Sequence, residues 1–245
     1  MLMSEQSKPP ATSANHPPAE RRSDSAAIDA FVRQARVLAA SKANGRLVLA
    51  LDATMSRQPT WDLACELQGQ MFDAVGNTGR LNVQLVYFRG LGECRASKFV
   101  AETASLKQLM TSIQCRSGQT QVGKVLAHTL KETATTKVDA LVYIGDAMEE
   151  NIDELAENAG KLGLLGVPAF VFQEGHDADA ERAFKEIARL SKGAWFRFDR
   201  KAAATLSKLL SAVAVFATGG IKALEARGRP EDILMIEHLR SGKAP

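Results

Sequence analysis

Five oxygen-bearing side chains stand where they could hold a metal ion together: Asp52, Thr54, Ser56, Thr120 and Asp146. The first three occupy alternate positions directly after an apolar run, and the last follows another apolar run. Carboxylate and hydroxyl oxygens are hard donors that suit Mg²⁺ or Mn²⁺, and Mg²⁺ usually keeps several water ligands. The five residues therefore predict a divalent-cation site with an open coordination position.

Six short segments predict the strands that must position these side chains: 47–51, 83–88, 93–99, 140–144, 167–172 and 195–198. The first, fourth and fifth are nearly continuous in aliphatic and aromatic residues, which is typical of strands buried on both faces. The segment 93–99 lies between the second strand and the next helix and predicts a short edge strand. Helices are therefore expected on both faces of the sheet.

Segments with helical periodicity alternate with these strands, at 61–75, 101–113, 122–133, 152–162, 178–190 and 202–217. Such alternation favours a doubly wound, mostly parallel α/β sheet. In open parallel sheets, ligands bind outside the carboxyl ends of the strands, where the strand order reverses. We therefore expect Asp52 and Asp146 to converge at one edge of the sheet. Gly193 is expected to end a helix in the left-handed conformation.

The chain is divided by composition into four parts. Residues 1–24 are rich in Ser, Pro, Ala and charge, which predicts a disordered leader. Residues 25–44 are predicted to form an N-terminal helix, residues 45–218 the α/β domain, and residues 219–245 a C-terminal extension.

The bulk composition argues against several classes of protein. The formal net charge is +3, from 31 basic and 28 acidic residues, which is too balanced for a nucleic-acid-binding surface. The three cysteines include no Cys-x-x-Cys pair, which favours a reducing compartment. No signal-peptide segment is found near the N-terminus, and the apolar stretch 209–221 is interrupted by polar residues and glycines. A cytoplasmic protein without membrane insertion is expected.

Three motifs resemble those of the von Willebrand factor type A (VWA) domain with a metal-ion-dependent adhesion site (MIDAS). Residues 52–56 spell Asp-x-Thr-x-Ser, residues 118–120 spell Gly-Gln-Thr before a helix, and Asp146 follows Tyr-Ile-Gly at the end of a strand. The resemblance covers most of the chain from about residue 45 to 216. It implies a Rossmann-like fold with a six-stranded, mostly parallel sheet and one antiparallel edge strand, for which 93–99 is suited.

The resemblance also implies how the site would work. Thr54, Ser56 and, in the ligand-bound form, Thr120 would coordinate the ion through hydroxyls, and Asp52 and Asp146 would act through bridging water. A partner protein's Asp or Glu would complete the coordination shell. The resemblance implies a non-catalytic, divalent-cation-dependent protein-interaction module, without catalytic residues or an organic cofactor.

Two alternatives, a phosphohydrolase and a nucleotide-binding protein, would use some of the same residues. In a Mg²⁺-dependent phosphohydrolase of haloacid dehalogenase type, Asp52 would be the nucleophile and Asp146 would hold Mg²⁺, but position 54 is Thr where most such phosphatases have a second acid. Such phosphatases also need a lysine between the strands; none is obviously placed for this, although Lys124 and Lys137 are available. Residues 118–124 also spell the P-loop pattern Gly-x-x-x-x-Gly-Lys, but Val125 stands where a Ser or Thr is needed.

Glu149, Glu150, Asp153, Glu154 and Glu157 form an acidic cluster directly after Asp146. Acidic residues are favourable at the N-terminus of a helix, because they interact with its dipole. The cluster therefore predicts a solvated helix start, which could also shape the charge around the metal site.

Met55 stands where the VWA motif has a small residue, which leaves the shape of the partner group open.

Overall fold

The computed structural model describes residues 44–57, 61–62, 80–198 and 203–241. Its sheet contains β1 (Asn44–Asp52), β2 (Arg80–Arg89), β3 (Glu93–Val100), β4 (Ala140–Gly145), β5 (Ala169–Glu174) and β6 (Ala194–Phe198). The spatial order is β3-β2-β1-β4-β5-β6. β3 pairs with β2 in the antiparallel direction, and the other pairs are parallel. The predicted fold class, including the antiparallel edge strand, is confirmed.

Besides a short 3-10 helix at Met55–Arg57 and the helical residues 61–62, the described part of the chain contains six α-helices. They are α1 (Thr103–Thr111), α2 (Val122–Thr135), α3 (Ile152–Leu164), α4 (Ala178–Ser191), α5 (Ala203–Arg227) and α6 (Pro230–Ser241). The buried apolar residues of α1, α5 and α6 belong to one hydrophobic cluster, and those of α2, α3 and α4 belong to a second. The helices therefore cover both faces of the sheet, as the apolar strands require.

β1 shows why the central strands read as continuous apolar runs. Leu47, Leu49 and Leu51 belong to the cluster with α5, and Val48 and Ala50 belong to the cluster with α2. Successive side chains of a strand point to opposite faces, so a strand covered on both faces must be apolar at every position.

Several predicted segments lie partly or wholly outside the described residues. These are the leader 1–24, residues 25–43 of the predicted N-terminal helix, and residues 63–75 of the predicted helix 61–75. Residue 44, the last of the predicted N-terminal helix, instead begins β1. Residues 61–62 are helical, as predicted.

Two local predictions around β5 and β6 differ from the structure. β5 begins at Ala169 rather than at residue 167, because the Val167 amide donates to the Leu162 carbonyl at 2.9 Å at the end of α3, and Pro168 has no amide hydrogen. The left-handed residue after α4 is Lys192, with φ of 61°, rather than Gly193. Gly193 is required by space instead, since a Cβ atom there would lie 1.9 Å from the Ala169 carbonyl oxygen.

α5 extends beyond its predicted end at residue 217 and continues to Arg227. It is interrupted at Gly220, whose φ of 64° and ψ of −160° are not helical. Among the described helices, residues 204–227 are long and apolar enough to cross a membrane by length and composition alone. Leu206, Leu210 and Val213 are buried in the protein core, and α5 contacts β1, β2 and β4, which is typical of a core helix.

The segment predicted as a C-terminal extension contains the end of α5 and all of α6. α6 buries Met235 and Ile236 in the same cluster as α5. Asp232 is completely buried and accepts hydrogen bonds from the Arg227 guanidinium, including one of 2.8 Å from Nε. The backbone amide of Arg229 donates to the same carboxylate at 3.0 Å. This charged pair attaches α6 to the end of α5.

Candidate metal centre

The strand order reverses next to β1, which pairs with β2 on one side and with β4 on the other. Chain connections diverge at such a reversal and leave a crevice at the carboxyl ends of the two strands. Leu51 pairs with Ile144, so Asp52 and Asp146 emerge from neighbouring strand ends. The topology thus brings together two carboxylates that are 94 residues apart in the sequence, from position 52 to position 146.

Asp52 and Thr54 form a tight turn at the end of β1. The Thr54 amide donates to Asp52 Oδ1 at 2.8 Å, a local hydrogen bond that Asp favours after a strand. The Thr54 and Ser56 hydroxyl oxygens lie 3.2 Å apart and are hydrogen-bonded. Asp52 and Thr54 are only 3% and 8% exposed, whereas Ser56 is exposed. The turn therefore presents two adjacent hydroxyl oxygens next to a buried carboxylate.

The loop that carries Thr120 is attached to the turn between β2 and β3. Gly118 packs so closely against Gly90 that a Cβ atom on residue 118 would lie 2.2 Å from the Gly90 nitrogen. The Gln119 amide donates to the Gly90 carbonyl at 3.2 Å. The same loop is held to the end of β1, because the Arg116 amide donates to the Ala53 carbonyl at 3.0 Å. These backbone contacts position Thr120, which is 7% exposed, beside the first turn.

All five predicted residues line one cavity of about 230 Å³. Its lining residues are Asp52, Thr54, Met55, Ser56, Ser117, Gly118, Thr120, Asp146, Ala147 and Glu149. Asp146 is half-buried, and Met55 is 56% exposed at the edge of the cavity. Thus the structure brings the five predicted side chains together around one opening.

The donor set of this cavity fits a hard divalent cation. It consists of carboxylate and hydroxyl oxygens, which Mg²⁺ and Mn²⁺ prefer over nitrogen and sulfur. Within the described residues, no group of three or more His, Cys, Asp or Glu side chains is arranged to hold a metal ion. A cation in the cavity would therefore depend on the hydroxyl groups as well as on the carboxylates.

Glu149 is a lining residue that the motif does not include. Its carboxylate Oε2 accepts a hydrogen bond of 3.2 Å from the Thr120 amide, and its own amide donates to Thr120 Oγ1 at 3.0 Å. Sequence reasoning assigned Glu149 to a solvated helix start, but α3 begins later, at Ile152, and Asn151 is its N-cap. Only its closeness to Asp146 in the sequence pointed to the site.

Glu150 makes a different contact, with the N-terminus of α2. Its carboxylate accepts hydrogen bonds from the amides of Val122 and Gly123, the latter at 2.8 Å. These amides have no partner within their own helix, and an acid at a helix N-terminus is also favoured by the helix dipole. Glu149 and Glu150 therefore connect the loop after β4 to the loop and helix that follow Gly118.

The residues of the two alternative readings are placed differently. Lys124 donates to the Gly92 carbonyl at 3.0 Å and to Gln121 Oε1 at 2.9 Å, and Val125 is buried in the core. Residues 112–117, which would need to be the strand of a P-loop, contain no strand. Lys137 precedes β4 and therefore lies toward the amino end of that strand, away from Asp146.

No family model matches the chain, and no curated protein matches it. Solved structures do match. The chain is similar to an aerotolerance-related membrane protein from Bacteroides fragilis (TM-score 0.53, 19% identity), with 68% of this chain and 98% of that chain covered. It is similar to the SpRpn10 VWA domain (TM-score 0.52, 10% identity), with 67% and 94% covered.

A third similar structure is proximal thread matrix protein 1 from the mussel byssus, with a zinc-occupied MIDAS motif. The TM-score is 0.53 at 15% identity, and the match covers 69% of this chain but only 45% of the mussel protein. At these identities the similarity concerns the fold. The chain has the fold of a VWA domain.

Proposed function

We propose that this protein is a non-catalytic, divalent-cation-dependent interaction module that binds an acidic side chain of a partner protein. Mg²⁺ or Mn²⁺ would be held by Asp52, Thr54, Ser56, Thr120 and Asp146. The observation that carries the proposal is that these five side chains, which come from three separate loops, line one cavity at the reversal of the strand order.

The chemistry of the hydroxyl groups supports a binding role. A divalent cation supplies positive charge, which neutral hydroxyl ligands do not compensate. Thr54 and Ser56 already present adjacent oxygens, and Thr120 faces the same cavity. Asp52 and Asp146 would accept hydrogen bonds from water ligands of the ion. A carboxylate from a partner would then be attracted to the remaining position.

The similar structures support the same proposal. The mussel matrix protein carries a metal ion in a MIDAS motif, and its fold is shared by this chain. A second similar structure is a VWA domain from SpRpn10. The cation in the mussel structure is zinc, whereas the oxygen-only donor set of this cavity favours Mg²⁺ or Mn²⁺.

Thermal unfolding in the presence of Mg²⁺ or Mn²⁺ tests the metal site. An ion that binds only the folded state stabilises it by about 2.7 kcal/mol when its concentration is about 100 times its dissociation constant. We expect the wild-type protein to be stabilised and the Asp52→Ala variant to show no such increase. Equal melting temperatures for the wild-type protein with Mg²⁺, with Mn²⁺ and with EDTA would refute the metal site.

A pair of serine variants provides a matched control, because Asp52 is buried and its replacement can affect folding. Ser56 and Ser117 are both exposed and both line the cavity, but only Ser56 belongs to the proposed ligand set. Ser56→Ala should lose most of the stabilisation by Mg²⁺, and Ser117→Ala should retain it. Equal loss in both variants would contradict the proposed ligand set.

The phosphohydrolase alternative predicts turnover of a generic phosphomonoester with Mg²⁺. Thr54 stands at the position of the proton-donating acid, and its amide binds Asp52 Oδ1, so we expect no turnover. Turnover that disappears in Asp52→Asn would favour the enzyme and overturn the non-catalytic proposal.

The partner itself is tested by affinity capture in Mg²⁺: we expect a protein that is released by EDTA and not retained by Ser56→Ala.

A further inference from the structure

Glu149 contacts Thr120 through both its side chain and its backbone. The Thr120 amide donates to Glu149 Oε2 at 3.2 Å, and the Glu149 amide donates to Thr120 Oγ1 at 3.0 Å. The second bond uses one acceptor position of the Thr120 hydroxyl and so restricts the directions in which its other lone pair can point. The backbone of Glu149 therefore positions the Thr120 hydroxyl, and its carboxylate holds the backbone of the same residue.

The charge of Glu149 also belongs to the cavity. Three acidic residues line it: Asp52, Asp146 and Glu149. Asp52 and Asp146, acting through water, offset part of the charge of a divalent cation, and Glu149 adds further negative charge near it. This extra charge attracts a cation and repels an incoming carboxylate. Because Glu149 is exposed, water and salt screen both effects without changing their signs.

We propose that Glu149 is a sixth functional residue of this site, a specificity-determining carboxylate that strengthens cation binding and weakens binding of the partner's acidic group. The inference rests on the proposed function. It predicts opposite effects on two binding constants when the charge is removed. A purely structural role would weaken both.

The test uses the full-length protein, Mn²⁺ alone and then acetate as a simple carboxylate. Mn²⁺ binding is followed by water-proton relaxation, and acetate is titrated at saturating Mn²⁺ and constant ionic strength, with acetamide as the uncharged control. In Glu149→Gln the amide oxygen still accepts a hydrogen bond from Thr120. We expect the Mn²⁺ dissociation constant to rise roughly threefold to tenfold and that of acetate to fall roughly twofold to fivefold.

Two further variants complete the test. Glu157→Gln makes the same change in net charge on the exposed face of α3, outside the cavity, and should leave both constants unchanged within about twofold. Glu149→Ala removes the side-chain hydrogen bond to the Thr120 amide as well as the charge, and it should weaken Mn²⁺ binding more than Glu149→Gln does. The metal-free melting temperature of each exposed-site variant should stay within about 2 °C of the wild-type value.

The possible outcomes separate this inference from the proposed function. If the wild-type protein binds no Mn²⁺, the proposed function fails. If the wild-type protein binds Mn²⁺ and acetate but Glu149→Gln leaves both constants unchanged, or weakens both, only the role of Glu149 is overturned. The same holds if Glu157→Gln reproduces the two changes.

Discussion

Two almost completely buried aspartates occupy different parts of this protein, Asp52 at the end of β1 and Asp232 at the start of α6. Asp232 is bound by the guanidinium of Arg227 and the amide of Arg229, so a positive charge from the same chain faces it. Asp52 accepts from the Thr54 amide and lies at a cavity lined by hydroxyl groups. Both are buried, at 0% exposure for Asp232 and 3% for Asp52.

The difference separates folding from binding. A buried carboxylate is tolerated when an opposite charge and hydrogen bonds compensate the loss of water. For Asp232 that compensation is part of the α5–α6 connection, and it holds two helices together. For Asp52 the surroundings are oxygen donors open to a cavity, an arrangement that suits a cation from solution. Metal ions should therefore affect the stability of the protein through Asp52 and its neighbours, and not through the Arg227–Asp232 pair.

The largest effect is expected for Asp232→Ala. Removal of one partner leaves the largely buried Arg227 without its main counter-charge, and such changes cost roughly 3–5 kcal/mol of unfolding free energy. Urea unfolding measures this loss, which we expect to be the same with Mg²⁺ and with EDTA. If Mg²⁺ restored the unfolding free energy that Asp232→Ala loses, the distinction between the two aspartates would be wrong.

The control for this variant is Arg240→Ala, which removes a partner of the exposed Arg240–Glu225 pair. Surface pairs contribute about 0–1 kcal/mol, so this change should have a small effect. Comparable losses in the two variants would mean that burial of the Arg227–Asp232 pair is not what makes it important.

An intermediate effect is expected for Gly118→Ala. The new Cβ atom would meet the backbone of Gly90 at 2.2–2.5 Å, and the loop with Thr120 would have to move away. Such overpacking costs roughly 1–3 kcal/mol, and we also expect a weaker stabilisation by Mg²⁺. Thermal melts with Mg²⁺ and with EDTA measure both effects.

Gly160→Ala is the matched control, because this glycine lies inside α3 with open space around its Cβ position. Alanine is favoured over glycine in a helix by about 1 kcal/mol, so the control should be stabilised and its response to Mg²⁺ unchanged. If Gly118→Ala behaves like this control, the close approach to Gly90 does not position the metal loop.

The smallest effect on stability is expected for Met55→Ser. Met55 is exposed at the edge of the cavity, so its replacement should change the unfolding free energy by less than about 0.5 kcal/mol. We also expect the Mn²⁺ affinity to stay within about twofold. Equilibrium unfolding and Mn²⁺ titration test this. A large loss of either would mean that Met55 supports the site rather than faces a partner.

The fold and the five residues of the candidate site could be predicted because their signals are local. β1, β4 and β5 are covered on both faces, and the resulting apolar runs are visible without any knowledge of their neighbours. Asp52, Thr54 and Ser56 are adjacent in the sequence, and Thr120 and Asp146 each follow a recognisable motif. The order of the elements then brings these residues to one edge of the sheet.

The contacts of Glu149, Glu150 and Lys192 could not be predicted, because they depend on packing between distant segments. Glu149 and Thr120 are 29 residues apart, and no spacing rule connects them. An acidic run before a helix is ordinarily interpreted as the solvated start of that helix. In the structure Glu150 instead caps α2, and α3 is capped by Asn151. Lys192 takes the left-handed conformation, and Gly193 is required by its close approach to Ala169 of β5 instead.

The contact between Gly118 and Gly90 has a consequence for comparing distant sequences. Gly118, the glycine of the Gly-Gln-Thr motif, is required by space, because a Cβ atom there would meet the backbone of the turn at Gly90. Gly90, on the other side of the contact, has φ of 62° and so carries its own requirement for glycine. A motif search records only half of this pair. A Cβ atom at residue 90 would meet nothing within 4 Å, whereas one at residue 118 would meet backbone atoms that any residue at position 90 carries. The two glycines are therefore required for separate reasons, and a sequence comparison should score them as independent positions.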